Sequence, residues 1–220
     1  MPLLTATELY RFYHSDDAEV VALRGVGLTL DAGELVALVG PSGSGKSTLL
    51  NLLAGLDEPD GGYVEVAGER LSRRPETKRA RLRARHNGMV LQSGNLLDHL
   101  TVAENIRLQL TLAGRRSNAV AAELARRLGL AAHWNALPAE LSGGEAARAG
   151  LAVALSAEPS ILLCDEPTAE LDAPNEEQVL AMIVEQRGAG TAILVATHSP
   201  IVSQAADRVL HLRDGRLIDG

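Results

Sequence analysis

The residues best suited to chemistry lie in one nine-residue stretch, Gly40-Pro41-Ser42-Gly43-Ser44-Gly45-Lys46-Ser47-Thr48. Its spacing fits the pattern G-x-x-x-x-G-K-[ST], in which glycines let successive backbone N–H groups surround a phosphate. Lys46 can reach the terminal phosphates of a nucleoside triphosphate, and the Ser47 hydroxyl can ligate Mg2+. The alternative interpretation is a glycine-rich turn that matches by chance. We call residues 40–48 the phosphate-binding loop.

The segments on either side of this loop support the first interpretation. Residues 34–39 are a short apolar run, which suits a buried strand, and residues 47–54 contain no Gly or Pro, which favours a helix. A helix that begins there directs the positive end of its dipole at the same anion. Strand, loop and helix together predict a site for a nucleoside triphosphate.

Two adjacent carboxylates follow a second apolar run. Residues 161–164 predict a buried strand that leads directly to Asp165 and Glu166. Asp165 can hold Mg2+ directly or through water beside Ser47, and Glu166 can orient or deprotonate the water that attacks the γ-phosphate. Acidic pairs after strands are common, so this pair gains its meaning from the phosphate-binding loop. Cys164 is interpreted as a small apolar strand residue rather than a reactive thiol.

The remaining pattern predicts an α/β domain with a helical insertion between about Gln92 and Pro159. Strands are expected at residues 28–30, 63–66, 86–91, 161–164 and 192–195, with turns at residues 31–33 and at Gly61-Gly62. Helices are expected at residues 101–112, 117–128 and 174–185, with Ser117 as an N-cap and Pro174 in a first turn. Residues 208–217 predict a hairpin around Asp214-Gly215.

Composition limits the classes of function. The chain has 220 residues, 46% of them hydrophobic, and a net charge of −7, which argues against nonspecific binding to nucleic acid. Its single cysteine excludes a disulfide framework and fits a reducing cytoplasm. No apolar run approaches the roughly 20 residues of a membrane span, and the N-terminus lacks a signal-peptide pattern. We therefore expect any membrane role to be played through a partner.

Residues 70–85 are strongly basic. This segment contains Arg70, Arg73, Arg74, Lys78, Arg79, Arg81, Arg83 and Arg85. The simplest interpretation is a solvated helix face, and the functional one is a surface near lipid headgroups or an acidic partner.

The most specific motif is Leu141-Ser142-Gly143-Gly144-Glu145, which resembles the L-S-G-G-Q/E signature of the ATP-binding-cassette (ABC) ATPases. The resemblance covers essentially the whole chain, with each motif in the family's order. At the start of a helix, these residues would offer a hydroxyl, bare N–H groups and a helix dipole to an anion. The resemblance implies that the signature contacts ATP in the phosphate-binding loop of an opposite subunit. Two cassettes would then form a head-to-tail dimer around two ATP molecules.

The resemblance also assigns roles outside the loop and the signature. Tyr13 lies where the family stacks an aromatic ring on adenine, with Tyr10 and Phe12 as close alternatives. Gln92 matches the glutamine that senses Mg2+ and nucleotide and links to a membrane partner. The Leu171-Asp172 pair matches the loop that crosses the dimer interface. His198 matches the histidine that contacts the γ-phosphate.

Together these matches imply a single ABC ATP-binding domain over residues 1–220. Its α/β core would carry an antiparallel β subdomain and a helical subdomain at about residues 93–158. The implied reaction is hydrolysis of ATP, with Glu166 as the base, Lys46 and His198 on the γ-phosphate, and Mg2+ at Ser47, Gln92 and Asp165. The implied partners are integral-membrane permease subunits and a second cassette, most simply a copy of this chain, and no nucleic acid. The location would be cytoplasmic, peripheral on the inner face of the cell membrane.

Residues 92–106 resemble the branch that contains the lipoprotein-release and macrolide-export ATPases, which favours export or extraction from the membrane. The alternative is a soluble ABC ATPase that acts on ribosomes, DNA or cluster assembly, and the short helical insertion argues against it. The departures from the family pattern are Leu91, Ala147, Gly150, Val153, Glu170 and Ser199. None of them removes a catalytic group, so we expect an active but slow isolated ATPase.

Overall fold

The computed structural model describes residues 1–15, 18–115 and 118–218. An antiparallel sheet is built from β1 (Leu4–Ser15), β2 (Ala18–Leu30), β4 (Gly61–Val66) and β5 (Glu69–Arg70). Its strand order is β2-β1-β4-β5. The predicted antiparallel subdomain is therefore present, and β1 lies between β2 and β4.

The second sheet carries the phosphate-binding loop. It contains β3 (Leu35–Val39), β6 (Asn87–Val90), β7 (Ile161–Asp165), β8 (Ala192–Ala196), β9 (Arg208–Arg213) and β10 (Arg216–Ile218). The order is β10-β9-β3-β8-β7-β6, and every neighbouring pair is parallel except β9 and β10. β3 thus lies between two strands from late in the sequence. The carboxyl ends of the parallel strands meet at one edge of the sheet, where open α/β sheets bind their ligands.

Helices cover both faces of the parallel sheet and form the insertion. They are α1 (Lys46–Ala54), α2 (Glu76–His86), α3 (Val102–Leu112), α4 (Asn118–Arg127), α5 (Gly143–Leu155), α6 (Ala173–Glu185) and α7 (Pro200–Ala205). Thr101 caps α3 in a reciprocal pair with Glu104, as expected where Thr precedes Glu by three residues. The insertion consists of α3, α4, α5 and two short 3-10 turns.

The core follows from the period-2 alternation of the buried strands. Leu38, Leu163 and Leu194 point to the face that packs with α1 and the antiparallel sheet. Their neighbours Leu162 and Ile193 point to the face that packs with α5 and α6. A third apolar cluster holds the inserted helices together. All the strand residues named here are fully buried. The packed sheet therefore fixes the position of the edge where the carboxyl ends of its parallel strands meet.

Three details of the predicted elements differ. Gly61 and Gly62 belong to β4 rather than to a turn, because Gly62, at φ +74°, forms an irregularity in the pairing with β1. His86 ends α2 instead of opening β6. Arg70 lies in β5, and the basic segment becomes helical only at Glu76. Ser117, the predicted N-cap, lies outside the described residues.

Candidate active site

A cavity of about 870 Å³ opens at the carboxyl edge of the parallel sheet. It brings together residues that are far apart in sequence: Tyr13, Ser42, Gly43, Ser44, Gly45, Lys46, Ser47, Thr48, Gln92, Asp165, Glu166 and His198. These residues come from β1, the phosphate-binding loop, the end of β7 and the segments that follow β6, β7 and β8. The cavity therefore gathers the predicted phosphate, metal and base groups of one chain.

The phosphate-binding loop has a backbone that only glycine adopts easily at two points. Gly43 has φ +77° and Gly45 has φ +106°, both in the left-handed region. Gly45 is also the N-cap of α1, where no side chain caps the helix and no acidic residue lies in the first turn. The N–H groups of that turn and the helix dipole therefore favour an anion in the cavity.

The C-terminal hairpin supports this loop from behind. Gly215 N–H donates to the Ser44 carbonyl at 3.1 Å, and Arg24 N–H donates to the Gly215 carbonyl at 2.8 Å. A Cβ atom on Gly40 would lie 2.1 Å from the Leu212 carbonyl oxygen, so glycine is required for the loop to pass β9. The sequence predicted the hairpin turn, but no pattern indicated that it touches the loop.

Lys46, Glu166 and His198 form a cluster at the base of the cavity. Lys46 Nζ donates to the Gly40 carbonyl at 2.8 Å and lies 3.2 Å from His198 Nε2. Glu166 Oε1 lies 3.2 Å from the same histidine nitrogen and 4.0 Å from Lys46 Nζ. The side chains of Lys46 and Glu166 are only 8% and 12% exposed. The predicted base and the two predicted γ-phosphate groups are thus neighbours.

Glu166 itself is held in an unusual conformation. Its φ is +48°, a strained value for a residue with a Cβ atom. Its N–H donates to the Ala196 carbonyl at 2.9 Å, and its Oε2 accepts from the His198 N–H at 3.2 Å. The other oxygen, Oε1, is buried and, among the described residues, has no partner in hydrogen-bond geometry. One carboxylate oxygen is therefore fixed while the other can accept a hydrogen bond from a water molecule.

The donor set fits Mg2+. Ser47, Gln92 and Asp165 all line the cavity and offer a hydroxyl, an amide oxygen and a carboxylate, the hard oxygen ligands that Mg2+ takes. The described residues contain no group of three or more His, Cys, Asp or Glu side chains suited to a metal. That is consistent with Mg2+, which is usually held by one or two carboxylates, waters and substrate phosphates rather than by a protein cage.

Tyr13 is the aromatic residue that faces the cavity. Its ring lies under the Arg11 guanidinium at 4.8 Å, and its hydroxyl is 3.3 Å from Asp57 Oδ2. Tyr10 and Phe12 instead stack on each other at 6.5 Å and are not part of the cavity lining in the described chain. This placement favours Tyr13 over the two alternatives for contact with a base.

The signature residues begin α5 but lie outside the cavity of their own chain. Ser142 accepts from the Glu145 N–H at 3.4 Å, and Glu145 Oε2 accepts from the Ser142 N–H at 2.8 Å. The Ser142 backbone N–H lowers the pKa of Glu145, with its hydroxyl as the second cause. The described residues that line the cavity do not include Ser142, Gly143, Gly144 or Glu145. The phosphate-binding loop and the signature of one chain therefore do not line the same cavity.

Comparison with known proteins agrees with this geometry. The family described as ABC transporter matches residues 23–169, about two thirds of the chain. The chain belongs to the ABC transporter family. Its fold superposes on a dimeric structure of a bacterial ABC transporter cassette with a TM-score of 0.93, at 30% identity and with 98% and 97% of the two chains covered. A dimeric post-hydrolysis cassette bound to ADP and Pi gives the same values. The predicted family and fold class are confirmed, and the chain is an ABC ATPase cassette.

Two similar relatives are ATP-binding/permease proteins. The macrolide export protein MacB of Shigella flexneri is 40% identical over 220 residues, covering 99% of this chain and 34% of the relative. MacB of Salmonella typhi is 38% identical over 219 residues, covering 98% and 34%. The chain spans about a third of the length of the curated relatives it matches.

In this ABC cassette the loop that contains Leu171 and Asp172 is connected by hydrogen bonds to α5, the helix that begins at the signature. Asp172 caps α6 and accepts from the Asn175 side-chain amide at 2.7 Å. Asn175 Oδ1 in turn accepts from Arg148 Nη1 of α5 at 3.1 Å. A Cβ atom on Gly144 would lie 2.3 Å from the same Asn175 oxygen. The second signature glycine is therefore needed for α5 to approach α6, a role that the motif alone did not indicate.

Gly150, a departure from the ABC pattern, has a structural reason. A Cβ atom there would lie 2.7 Å from Asn95 Cβ. Asn95 uses its side-chain oxygen and nitrogen to bind the N–H and carbonyl of Leu91, both at 2.7 Å. Gly150 thus makes room for the side chain that fixes the backbone immediately before Gln92.

Other residues fill out the cassette's cavity without having been predicted. Thr168 and Glu176 both line it, and the Thr168 hydroxyl donates to Glu176 Oε1 at 3.1 Å. Asp214 of the hairpin turn also lines it. Cys164 is fully buried in β7, and burial raises the pKa of its thiol, consistent with the prediction of an inert strand residue.

Proposed function

We propose that this cassette hydrolyses ATP to drive export, or extraction from a membrane, and that it closes head to tail with a second cassette, most simply a copy of itself. One observation carries the proposal: the phosphate-binding loop, Glu166 and His198 share a cavity, while Ser142 and its neighbours lie outside it. A second signature is then needed to cover the nucleotide. The relatives named for macrolide export support the direction of transport.

Each residue of the cavity has a different role in ATP hydrolysis. The N–H groups at the start of α1 and the Lys46 ammonium bind the phosphates, and Tyr13 stacks on the base. Glu166 accepts a proton from the attacking water at Oε1, the oxygen that no protein group hydrogen-bonds among the described residues, and His198 stabilises charge that develops on the γ-phosphate. The hydrogen bond from the His198 N–H to Oε2 keeps the base in place while it acts.

Mg2+ bound by Ser47, Gln92 and Asp165 would neutralise phosphate charge in the transition state. Gln92 lies on the segment that Asn95 holds through Leu91. Its place in the cavity would therefore depend on how α5, the signature helix, is seated. Through these contacts, nucleotide binding at Gln92 would be coupled to the position of the helical insertion.

We further propose that the cassette works on a membrane permease at the cytoplasmic face of the membrane. The described chain contains no helix long and apolar enough to cross a membrane. A groove of about 520 Å³, lined by Leu56, Met89, Leu112 and other residues of α2, α3 and α5, is mostly apolar. Leu56 and Leu112 are 52% and 63% exposed, and such a groove suits an apolar segment of a partner protein.

The decisive experiment is ATPase activity of the purified chain, combined with gel filtration in ATP and Mg2+. Hydrolysis together with nucleotide-dependent dimerisation would support a self-sufficient pair of cassettes. Undetectable hydrolysis even with a permease partner would refute the proposal. Co-purification with a permease in detergent, rather than with ribosomes or DNA, separates it from the soluble alternative.

A further inference from the structure

The basic segment divides α2 into two faces with different partners. On one face, Arg79 pairs with Glu58 and Glu76, and Arg83 pairs with Glu76 and donates to the Gly55 carbonyl. This face fastens α2 to the end of α1. The cations on it are therefore neutralised and have a structural role.

The other face carries cations without counter-charges. We define it by Arg74, Lys78, Arg81 and Arg85, and call it the basic face of α2. The spacings of four, three and four residues put these side chains along one side of the helix and its entry. All four are exposed, and none has an ion pair or hydrogen bond within the part of the chain that the structure describes. Together with Arg70 they surround a cavity of about 460 Å³ in which Glu69 is the acidic lining residue.

We propose that the basic face of α2 binds the anionic phosphate headgroups of the membrane leaflet beside the permease, an inference that rests on the proposed function. The whole chain has a net charge of −7, so a concentration of unpaired cations on one face needs an explanation. Guanidinium groups bind phosphate oxygens through pairs of N–H donors. Clusters of four or more basic residues next to a membrane are typical of binding to anionic lipid.

The apolar residues favour lipid headgroups over a protein partner for this face. A protein interface has a desolvated core rich in large apolar side chains, and none of the exposed large hydrophobic residues of the described chain lies between residues 70 and 85. The apolar groove next to the basic face of α2 has such exposed apolar side chains instead. Arg81 lines both the groove and the basic cavity. A permease segment in the groove would thus place the basic face beside the membrane that holds the permease.

The test is flotation of the purified chain, without nucleotide, on vesicles of phosphatidylcholine alone or with about 30 mol% phosphatidylglycerol. We expect binding to the anionic vesicles at about 50 mM salt and release at about 500 mM, because exposed charges are screened. Replacing Arg74, Lys78, Arg81 and Arg85 together by Gln should weaken binding by roughly a thousandfold. Unchanged ATP binding by this variant would show that it is folded.

The matched control removes four exposed cations elsewhere, by Arg115→Gln, Arg126→Gln, Arg127→Gln and Arg213→Gln, and gives the same net charge. We expect it to keep most of its vesicle binding. An equal loss in both variants would mean that overall charge, not this face, is responsible, and would overturn the proposal.

Two further outcomes separate this proposal from the proposed function. No binding of the wild-type chain to anionic vesicles at low salt would overturn the lipid site. Loss of permease co-purification in the four-residue variant would then indicate an acidic protein partner instead. Vesicle binding by a chain that does not hydrolyse ATP even with a permease partner would refute the transporter function and leave the lipid site standing.

Discussion

At the scale of single residues, the candidate site contains carboxylate and ammonium groups that are held by backbone atoms. Glu166 is the clearest case, because its N–H, its Oε2 and its positive φ are all fixed by the segment from Ala196 to His198. The residue types and their order in sequence were enough to predict a set of groups that the fold brings into one cavity. Distances such as the 3.2 Å between His198 and Glu166 were not predictable, because they arise from strands that meet only in the folded sheet.

The Glu166→Gln variant should bind ATP and remain a dimer without turning over. The amide keeps the size of the side chain and an oxygen that can accept a hydrogen bond, but it cannot take a proton from water. We expect hydrolysis to fall by 10² or more and a stable dimer in gel filtration with ATP and Mg2+. The control is Glu177→Gln, an exposed residue of α6 that should behave as wild type. A monomer under these conditions would contradict the prediction.

At the scale of elements, α5 has two glycines that make room for asparagines from other segments. Gly144 faces Asn175 of α6, and Gly150 faces Asn95 ahead of α3. The sequence predicted that the signature begins a helix and marked Gly150 only as a departure from the family pattern, where helix propensity disfavours glycine. The structure gives the better reason, since propensity describes an isolated helix and cannot anticipate a neighbour that packs against its backbone.

Gly150→Ala should therefore fail to stabilise the protein. The gain in helix propensity, up to about 1 kcal/mol, is offset by an overpacking cost of about 1–3 kcal/mol as Asn95 is displaced. We expect a lower thermal midpoint and slower hydrolysis, because the backbone before Gln92 loses its two side-chain bonds. Differential scanning calorimetry and an ATPase assay test this.

Gly188→Ala is the control, since a Cβ there meets no atom within 4 Å. In an Asn95→Gly background, which removes the Cβ atom that a Cβ on Gly150 would meet at 2.7 Å, Gly150→Ala should cause no further loss of stability. A higher midpoint for Gly150→Ala alone would contradict the steric argument.

The two signature glycines should respond differently to alanine. A Cβ on Gly144 would lie 2.3 Å from Asn175 Oδ1, whereas one on Gly143 meets nothing within 4 Å. Gly144→Ala should lower the thermal midpoint by several degrees, corresponding to about 1–3 kcal/mol, and Asn175→Ala should suppress that loss. Gly143→Ala should leave the midpoint unchanged and reduce hydrolysis, if it meets the nucleotide of the partner cassette. Equal midpoints for the two variants would count against the packing.

At the scale of the whole molecule, the phosphate-binding loop and the signature are set apart within one chain. The loop lines the cavity and the described signature residues do not, although Gly143 lines a neighbouring cavity together with Gln92 and Glu166. The sequence could imply this only through resemblance, because a motif does not state which copy of the chain it serves. The apolar groove was beyond the sequence, since it combines side chains from several segments. The basic segment was visible in the sequence, but its division into a face with ion pairs and a face without them was not.

Binding and hydrolysis should therefore be separable by mutation. Ser142→Arg should keep the affinity of a monomer for ATP within about twofold, because Ser142 does not line the cavity, but should abolish nucleotide-dependent dimerisation and hydrolysis. Lys46→Ala should lose all three, since the Lys46 ammonium lies at the cavity's base and charge-assisted contacts to phosphate are strong. Calorimetric titration with ATP and gel filtration distinguish them. Loss of ATP affinity in the Ser142→Arg monomer would contradict the split site.

The support that the hairpin of β9 and β10 gives to the phosphate-binding loop has a consequence for biosynthesis. About 170 residues separate Ser44 from Gly215, so at 5–20 residues per second a ribosome needs on the order of ten seconds or more to make the second after the first. During most of that interval β3 also lacks both of its neighbours, because β8 and β9 follow only at Ala192–Ala196 and Arg208–Arg213. We therefore expect the nascent chain to carry a complete nucleotide motif whose loop still lacks its support, and to bind nucleotide weakly until residue 215 has been made.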